Sequence, residues 1–287
     1  MDNQALKKSF LQAKKITQKH AKSFYFASSF LGKKERLAAY AVYAICRISD
    51  DSADALDQPL RLKALEKIAS DIEAAYQKKT PAEGPLYAFQ ATVEQYKIPK
   101  TYFQDLLKGM CQDLEVFNYK NFDQLYQYCY WVAGVVGLIM LKIFDTDSEE
   151  AKKSAVSLGI AMQLTNILRD IKEDYQNKRL YLPEDEMARF GISSQSIASE
   201  AVDDKFKAFL KWQIQRARKY YQNSLPGIKM IPGWRSRLTV YLMKEIYAGI
   251  LTALEKNGYD PFRRRAATGK IAKIMLLVKI IFSGKYL

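Results

Sequence analysis

Two groups of oxygen-bearing side chains fall on single faces of helices. The first is Asp50-Asp51-Ser52-Ala53-Asp54. Stepping back from Asp54 by three or four residues reaches Asp50 or Asp51, then Arg47, then Tyr43, all on one face. Carboxylates four residues apart lie about 6 Å apart along a helix axis, a separation that suits hard divalent cations. Magnesium takes oxygen ligands, keeps several waters and completes its shell with substrate phosphates. An acidic run of this kind is otherwise a solvated helix face. Here the preceding turns (Ala38, Ala39, Ala41, Val42, Ala44, Ile45) are almost wholly apolar. A helix apolar on most sides is buried, so an acidic stripe within it should face a cavity. The second group is Asn166-Ile-Leu-Arg169-Asp170-Ile-Lys-Glu173-Asp174. Asn166, Asp170 and Asp174 recur at i, i+4 and i+8, and Gln163 and Gly159 extend the stripe backwards between apolar neighbours. Like charges at this spacing repel, and a cation would neutralise them. Each stripe has an arginine beside it, Arg47 and Arg169, so together they suggest opposed walls of a metal–diphosphate site.

The elements that must hold these stripes are helical. Residues 36–56, 122–144, 149–178, 201–224 and 235–256 are long, with apolar residues near a 3.6-residue period. No segment joins strict period-2 alternation to turn signals, so no strand is expected. Breakers mark the joints: 79–85, the Pro99 region, Pro183, and Pro226-Gly227 through Pro232-Gly233. None is long or polar enough to be a linker. The chain therefore reads as one all-α domain, residues 1–287, of about ten helices.

Composition narrows the function. The 287 residues are 48% hydrophobic and 26% charged, which excludes disorder and a collagen-like chain. Uninterrupted apolar runs such as 274–278 fall far short of the ~20 residues a membrane span needs. The first residues lack the apolar stretch of a secretory signal. Three scattered cysteines (Cys46, Cys111, Cys129) without a Cys-x-x-Cys pair fit free thiols in a reducing cytoplasm. His20 is the only histidine, which excludes a histidine-based zinc site and a Ser-His-Asp triad. There is no glycine-rich dinucleotide loop or P-loop. The net charge of +14 favours anionic partners: nucleic acid, a membrane surface or phosphorylated substrates. Aromatics sit at core-like spacings and not among the lysines, so base stacking is not expected.

With these residues set out, the chain resembles the squalene/phytoene synthases, the head-to-head prenyl diphosphate condensing enzymes. The motifs run through nearly the whole chain in the family's order. They are His20-Ala-Lys22-Ser23-Phe24, Tyr43-Ala-Ile-Cys-Arg47 leading into Asp50-Asp51-x-x-Asp54, and Gly109-Met110 with Asp113. Then come Tyr128-Cys-Tyr130-Trp-Val-Ala133-Gly134-Val-Val-Gly137, the Gln163 to Asp174 segment, and Arg179-Leu-Tyr181-Leu-Pro183. The resemblance implies a single isoprenoid-synthase-type helical bundle around a large central cavity. By motif match it makes Asp50, Asp51, Asp54, Asn166, Asp170 and Asp174 ligands of Mg²⁺, with Mn²⁺ as a substitute. Ser23, Arg47, Arg169 and Lys22 would hold phosphate oxygens, and Gln163, Arg179 and Tyr181 fall within substrate-binding motifs. His20 either contacts phosphate or packs the N-terminus. The implied reaction joins two prenyl diphosphates, farnesyl or geranylgeranyl, into a cyclopropylcarbinyl diphosphate. That intermediate is ionised again and rearranged to a linear C30 or C40 product of carotenoid or triterpenoid biosynthesis.

The residue types suit that chemistry. Metal ions and cationic side chains stabilise a departing pyrophosphate, and aromatic faces steady the carbocation left behind. Phe24, Phe26, Tyr43, Tyr128, Tyr181 and Tyr247 are available for this. Tyr43, Tyr128 or the released pyrophosphate could take the proton lost when the cyclopropane closes. Gly134 and Gly137, with Ala133, would let a helix and a prenyl tail approach closely, and Ala27, Ser28 and Ser29 would leave room for a C20 tail. The product stays open among presqualene diphosphate, squalene, dehydrosqualene, hydroxysqualene and phytoene. Reduction to squalene would need NADPH, and no recognisable nicotinamide signature is present. Rival readings are a head-to-tail prenyl diphosphate synthase or terpene cyclase, and a non-catalytic basic helical protein. Paired acidic stripes would repel nucleic acid, which is not an expected partner.

The C-terminal stretch mixes Arg263, Arg264, Arg265, Lys270, Lys273, Lys279 and Lys285 with Ile271, Ile274, Leu276, Leu277, Ile280, Ile281 and Phe282. It reads either as a last core helix with a solvated basic face, or as one that also rests on the anionic inner face of the membrane. In the latter case each basic residue contributes about 1 kcal/mol near the surface.

Overall fold

Apolar residues every third or fourth position, with few breakers, let a helix satisfy its own backbone while presenting one face to a core. The chain does this throughout. The computed structural model describes residues 2–54, 58–115, 117–284 and 286, and the side chains of residues 50–54, 58, 59 and 115 lie outside that description. The first helices are α1 (Asn3–His20), α2 (Lys22–Ser28), α3 (Lys33–Asp54), α4 (Gln58–Tyr76), α5 (Gly84–Gln95) and α6 (Lys100–Glu115). Next, α7 (Phe122–Cys129) continues through a π-helical turn (Tyr130–Gly134) into α8 (Val135–Ile143). Then follow α9 (Glu149–Arg169), α10 (Ile171–Gln176), α11 (Glu184–Arg189), α12 (Ser194–Ala198) and α13 (Asp204–Asn223). The last are α14 (Leu225–Met230), α15 (Trp234–Lys256) and α16 (Lys270–Ser283). Among the described residues, the only β pairing is one isolated bridge between Asn118 and Leu180.

Short polar residues start the long helices. Asp2 accepts from the amide of Gln4 at 2.8 Å, Ser148 from that of Ala151 at 3.2 Å, and Asp203 from that of Phe206 at 2.8 Å. Each satisfies a donor the first turn would leave orphaned. Helix α9 is the central post, packed by α8, α13, α14, α15 and the π-turn. One apolar cluster surrounds its C-terminal half with α7 and α13 (Ile160, Leu164, Ile167, Phe209, Leu210). A second joins α3, α5, α6 and α8 (Val42, Phe89, Phe103, Ile139).

Three expectations change. The all-α reading holds, but the breakers divide the chain into more and shorter helices than ten. The helix expected over 149–178 is interrupted at Asp170 (φ −107°, ψ 17°). Finally, Phe122–Ile143 forms 22 unbroken helical residues, long and apolar enough by length and composition to cross a membrane. The sequence concealed this because polar residues interrupt the apolar run. Its Leu125, Cys129, Val135, Ile139 and Ile143 are buried within the fold, as in a core helix.

Candidate active site

A cavity of about 400 Å³ opens between α2, α3, the π-turn, α8, α9, α14 and α15. Along α9 it runs from Ala151 to Asn166, about 22 Å at 1.5 Å per residue. Toward Ala151 it is walled by Leu141, Phe144, Ala155 and Ile231, and toward Asn166 by Gln163 and Tyr247. The narrow spacing of its walls depends on two glycines. A Cβ on Gly159 would sit 2.3 Å from the Ala133 carbonyl oxygen, and one on Gly137 would sit 2.5 Å from that of Ala155. The glycines therefore let α8 and α9 meet backbone to backbone, as expected of Gly137. Ala27 and Ser28 do not line the cavity: Ala27 packs on Leu238, Leu242 and Ile246, and the Ser28 hydroxyl donates to the Phe24 carbonyl at 2.6 Å.

At the polar end, Asn166 donates from Nδ2 to Gln163 Oε1 at 3.3 Å, while its own Oδ1 is buried without a hydrogen-bond partner. The break at Asp170 does not disturb the one-turn spacing. The Asp170 amide still donates to the Asn166 carbonyl at 2.9 Å, and the Asp174 amide to that of Asp170 at 2.8 Å. Two arginines hold the Asp170 carboxylate. Arg169 donates through Nε at 2.8 Å and through Nη2 to the other oxygen, and Arg265 donates through Nε at 2.8 Å and Nη2 at 3.0 Å. Burial alone would raise the pKa of Asp170, but the two guanidiniums outweigh it and hold the carboxyl below its usual range. Asp174 has no such support. Burial, with Asp170, Glu173 and Asp113 nearby, pushes it up to about 8 against the pull of Arg179.

Among the described residues, no three His, Cys, Asp or Glu side chains converge on one point as a ready cation cage. The donors present are nonetheless all hard oxygens. One of them is a buried amide oxygen lacking a partner, and another is the Asp174 carboxyl, which burial and then the Asp170 charge push up to about 8. This face fits a divalent cation of the magnesium kind. Asp50, Asp51 and Asp54 belong to the last turn of α3 and lie outside the described side chains. Arg47 stands one turn before them, half-buried. One turn earlier again, Tyr43 lines the cavity with its ring 5.6 Å from that of Phe24.

Sequence reasoning missed two basic side chains here, because both had been assigned to a surface. Arg265 reaches Asp170 from the connection between α15 and α16. Lys273 of α16 turns inward and donates from Nζ to Ser23 Oγ at 2.8 Å. Burial, then the charge of Lys22, depresses the Lys273 ammonium. Lys22, Ser23 and Lys273 thus form a cationic corner near His20, which lines the cavity.

Tyr128 and Tyr181 lie apart from this cavity, among the described residues. Their hydroxyls donate to Asp113 at 3.0 and 2.7 Å, and their rings stack at 5.0 Å. Burial, then the Asp113 charge, raises both phenols, so they stay protonated donors. Asp113 belonged to a quoted motif, but no site role had been given to it. The amide of Arg179 donates to the Asp174 carbonyl at 2.8 Å, which ties this tyrosine segment to the acidic face.

Comparison with known proteins agrees with this geometry. A family profile described as squalene/phytoene synthase matches residues 17–272. The chain is 35% identical over 269 residues to phytoene synthase 1, chloroplastic, of Arabidopsis thaliana, covering 91% of this chain and 63% of that protein. It thus spans a little under two thirds of that relative's length. A crystal structure of a dehydrosqualene synthase in complex with ligand superposes with a TM-score of 0.91 at 29% identity, covering 99% of each chain. Squalene synthase HpnC from Alicyclobacillus acidocaldarius superposes at 0.83 with 25% identity, covering 90% of this chain and 97% of the other. With the profile matched over most of its length, the chain belongs to the squalene/phytoene synthase family.

Proposed function

We propose that this protein is a Mg²⁺-dependent prenyltransferase that condenses two prenyl diphosphates head to head, through a cyclopropylcarbinyl diphosphate, to a C30 or C40 polyene. The observation that carries this reading is the union of an apolar cavity with the Asn166–Asp170–Asp174 oxygen face at one end. The names of its relatives, phytoene, dehydrosqualene and squalene synthases, support the same class of reaction.

In the first half-reaction the allylic C–O bond of one substrate breaks and its electron pair leaves with diphosphate. The double bond nearest the diphosphate of the second substrate attacks the allylic cation, and loss of a proton closes the cyclopropane. Ionisation of that intermediate, rearrangement and a second proton loss give the polyene, two diphosphates and two protons. Mg²⁺, with Mn²⁺ as a substitute, would be held by Asn166, Asp170, Asp174, Asp50, Asp51 and Asp54, and would supply positive charge to the leaving diphosphate. Arg47, Arg169, Lys22, Ser23 and Lys273 bind phosphate oxygens, with Gln163 and Arg179 steadying the acidic face. The apolar walls exclude water, which would otherwise capture the cation. Phe24, Tyr43 and Tyr247 line the cavity, where aromatic faces would steady it. Tyr43 or the departing diphosphate takes the proton, whereas Tyr128 keeps its own as a donor to Asp113.

No reductant enters the first half-reaction, so NADPH would bear only on how the second one ends. The test is to incubate the protein with farnesyl or geranylgeranyl diphosphate and Mg²⁺, without nicotinamide, and to weigh the extracted product. A C30 or C40 hydrocarbon, or the cyclopropyl diphosphate, is expected. A longer linear diphosphate would identify head-to-tail synthesis instead, and an absolute requirement for NADPH before any diphosphate appears would contradict the reaction order.

A further inference from the structure

Helix α16 carries large apolar side chains on both its faces. Its inner face carries Leu276, Leu277 and Ile280 against α15 and α2, together with Lys273 on Ser23. Its outer face is Ile271, Ile274, Met275, Val278, Ile281 and Phe282, six large apolar side chains at helical spacing. Exposure reaches 76% at Ile271, 66% at Met275 and 87% at Phe282. Single exposed apolar residues are ordinary, but a continuous stripe of this length marks an interaction surface. Beyond the C-terminal end of α16, the Arg237 guanidinium donates to the Tyr286 carbonyl at 2.8 Å. One turn before Arg237, Trp234 is 50% exposed beneath the Arg235 guanidinium. At the other end stand the exposed Arg263, Arg264 and Lys270.

We infer that the outer face of α16 docks in the plane of an anionic lipid bilayer, with the apolar stripe in the acyl boundary and the flanking arginines and lysines on headgroup phosphates. The choice of a bilayer over another protein rests on charge and shape. The stripe is a convex helix face, not a groove. Basic groups flank it, with no acidic residue between Asp260 and the last residue of the chain, in a protein of net charge +14. Amphipathic helices that lie on membranes combine these features, with an aromatic residue near the interface. The inner face of α16 packs against α15, which also supplies Met243 and Tyr247 to the cavity wall. An insoluble product would therefore be released one helix away from lipid. The docking goes beyond the reaction proposed above and can be measured without substrate.

Flotation with phosphatidylglycerol–phosphatidylcholine vesicles tests it, with phosphatidylcholine vesicles as the control. The wild-type protein is expected to float with the anionic vesicles. Raising salt to about 1 M, where the screening length is about 3 Å, should weaken this binding but not abolish it. A Met275→Glu/Phe282→Glu variant with unchanged circular dichroism and melting should bind about tenfold less. As a second readout that leaves the stripe apolar, the added indole of Phe282→Trp should shift to the blue on anionic vesicles. Equal binding by wild type and the double variant, no wild-type binding at low salt, or unshifted indole emission would each overturn the inference. So would a wild-type dimer in solution that the double variant abolishes, since the stripe would then be an interface between copies. Diphosphate release in detergent reads the reaction separately, so its failure would leave the vesicle result standing.

Discussion

Glu186 and Asp170 both pair with arginine, and they do so in opposite ways. Glu186, 6% exposed, accepts from Arg216 through both oxygens and from Gln213 Nε2 at 2.9 Å. The Arg216 guanidinium lies 3.8 Å from the Phe122 ring centroid and 4.3 Å from that of Trp212. One cation meets one anion, and aromatic rings close the site. At Asp170 two guanidiniums crowd one carboxylate, and one of them, Arg265, is 61% exposed. One turn on, Asp174 is left with too little positive charge, and Asn166 Oδ1 has no partner. A pair complete in itself fastens helices, while a pair with surplus charge on both sides is set up to receive something further. That contrast distinguishes the two pairs better than burial does.

The comparison breaks most visibly at Asp170. Asp170→Asn keeps the shape and one accepting oxygen but removes the charge. Turnover per folded molecule should fall by about three orders of magnitude. Substantial turnover with Mg²⁺ would remove the acidic face from the mechanism. Glu186→Ala should do the reverse. It strands a mostly buried guanidinium and should cost about 3–5 kcal/mol in urea unfolding, with turnover per folded molecule near wild type. If Glu186→Ala abolished turnover in folded protein, the distinction between the two pairs would fail.

Smaller effects sharpen the contrast. Arg265→Ala should raise KM for the prenyl diphosphate about tenfold. Arg265→Lys should recover only part of this, since an ammonium cannot reproduce the two-point hold on Asp170. The smallest effect is a reversal of sign at Asp174. Its folded pKa of about 8 lies above the unfolded carboxylate range. Between roughly pH 4 and 8 the unfolded chain releases a proton that the folded chain retains, so stability from this group is present at low pH and declines as pH rises. In metal-free protein at about pH 8, Asp174→Asn should therefore melt about 2–4 °C above wild type. An equal gain at pH 4 would contradict this origin.

The sequence made the helical class and the second acidic stripe legible, because both rest on local periodicity. Asn166, Asp170 and Asp174 keep their one-turn spacing through a helix break that no periodicity announces. The role of Arg265 was hidden: it meets Asp170 across 95 residues, and Lys273 meets Ser23 across 250. Such contacts depend on how the chain returns on itself. For the same reason the sequence left the orientation of α16 open. Its pattern gives two faces, one with Lys273, Leu276, Leu277 and Ile280 and one with Ile271, Ile274, Met275 and Phe282. Only packing decides which is inside. Tyr43 and Tyr128 looked equivalent as aromatic motif residues, and the fold puts Tyr43 on the cavity wall and Tyr128 on Asp113.

In the proposed mechanism Asn166, Asp170 and Asp174 hold a cation that, in turn, holds a prenyl diphosphate. Diphosphate release from farnesyl or geranylgeranyl diphosphate, titrated with Mg²⁺ after chelation, tests it most directly in the wild type beside Asp174→Asn. Release should be absent in chelator, saturate with Mg²⁺ in the wild type, and need much more Mg²⁺ in Asp174→Asn. Release that persists in chelator, or identical Mg²⁺ curves for the two proteins, would contradict it.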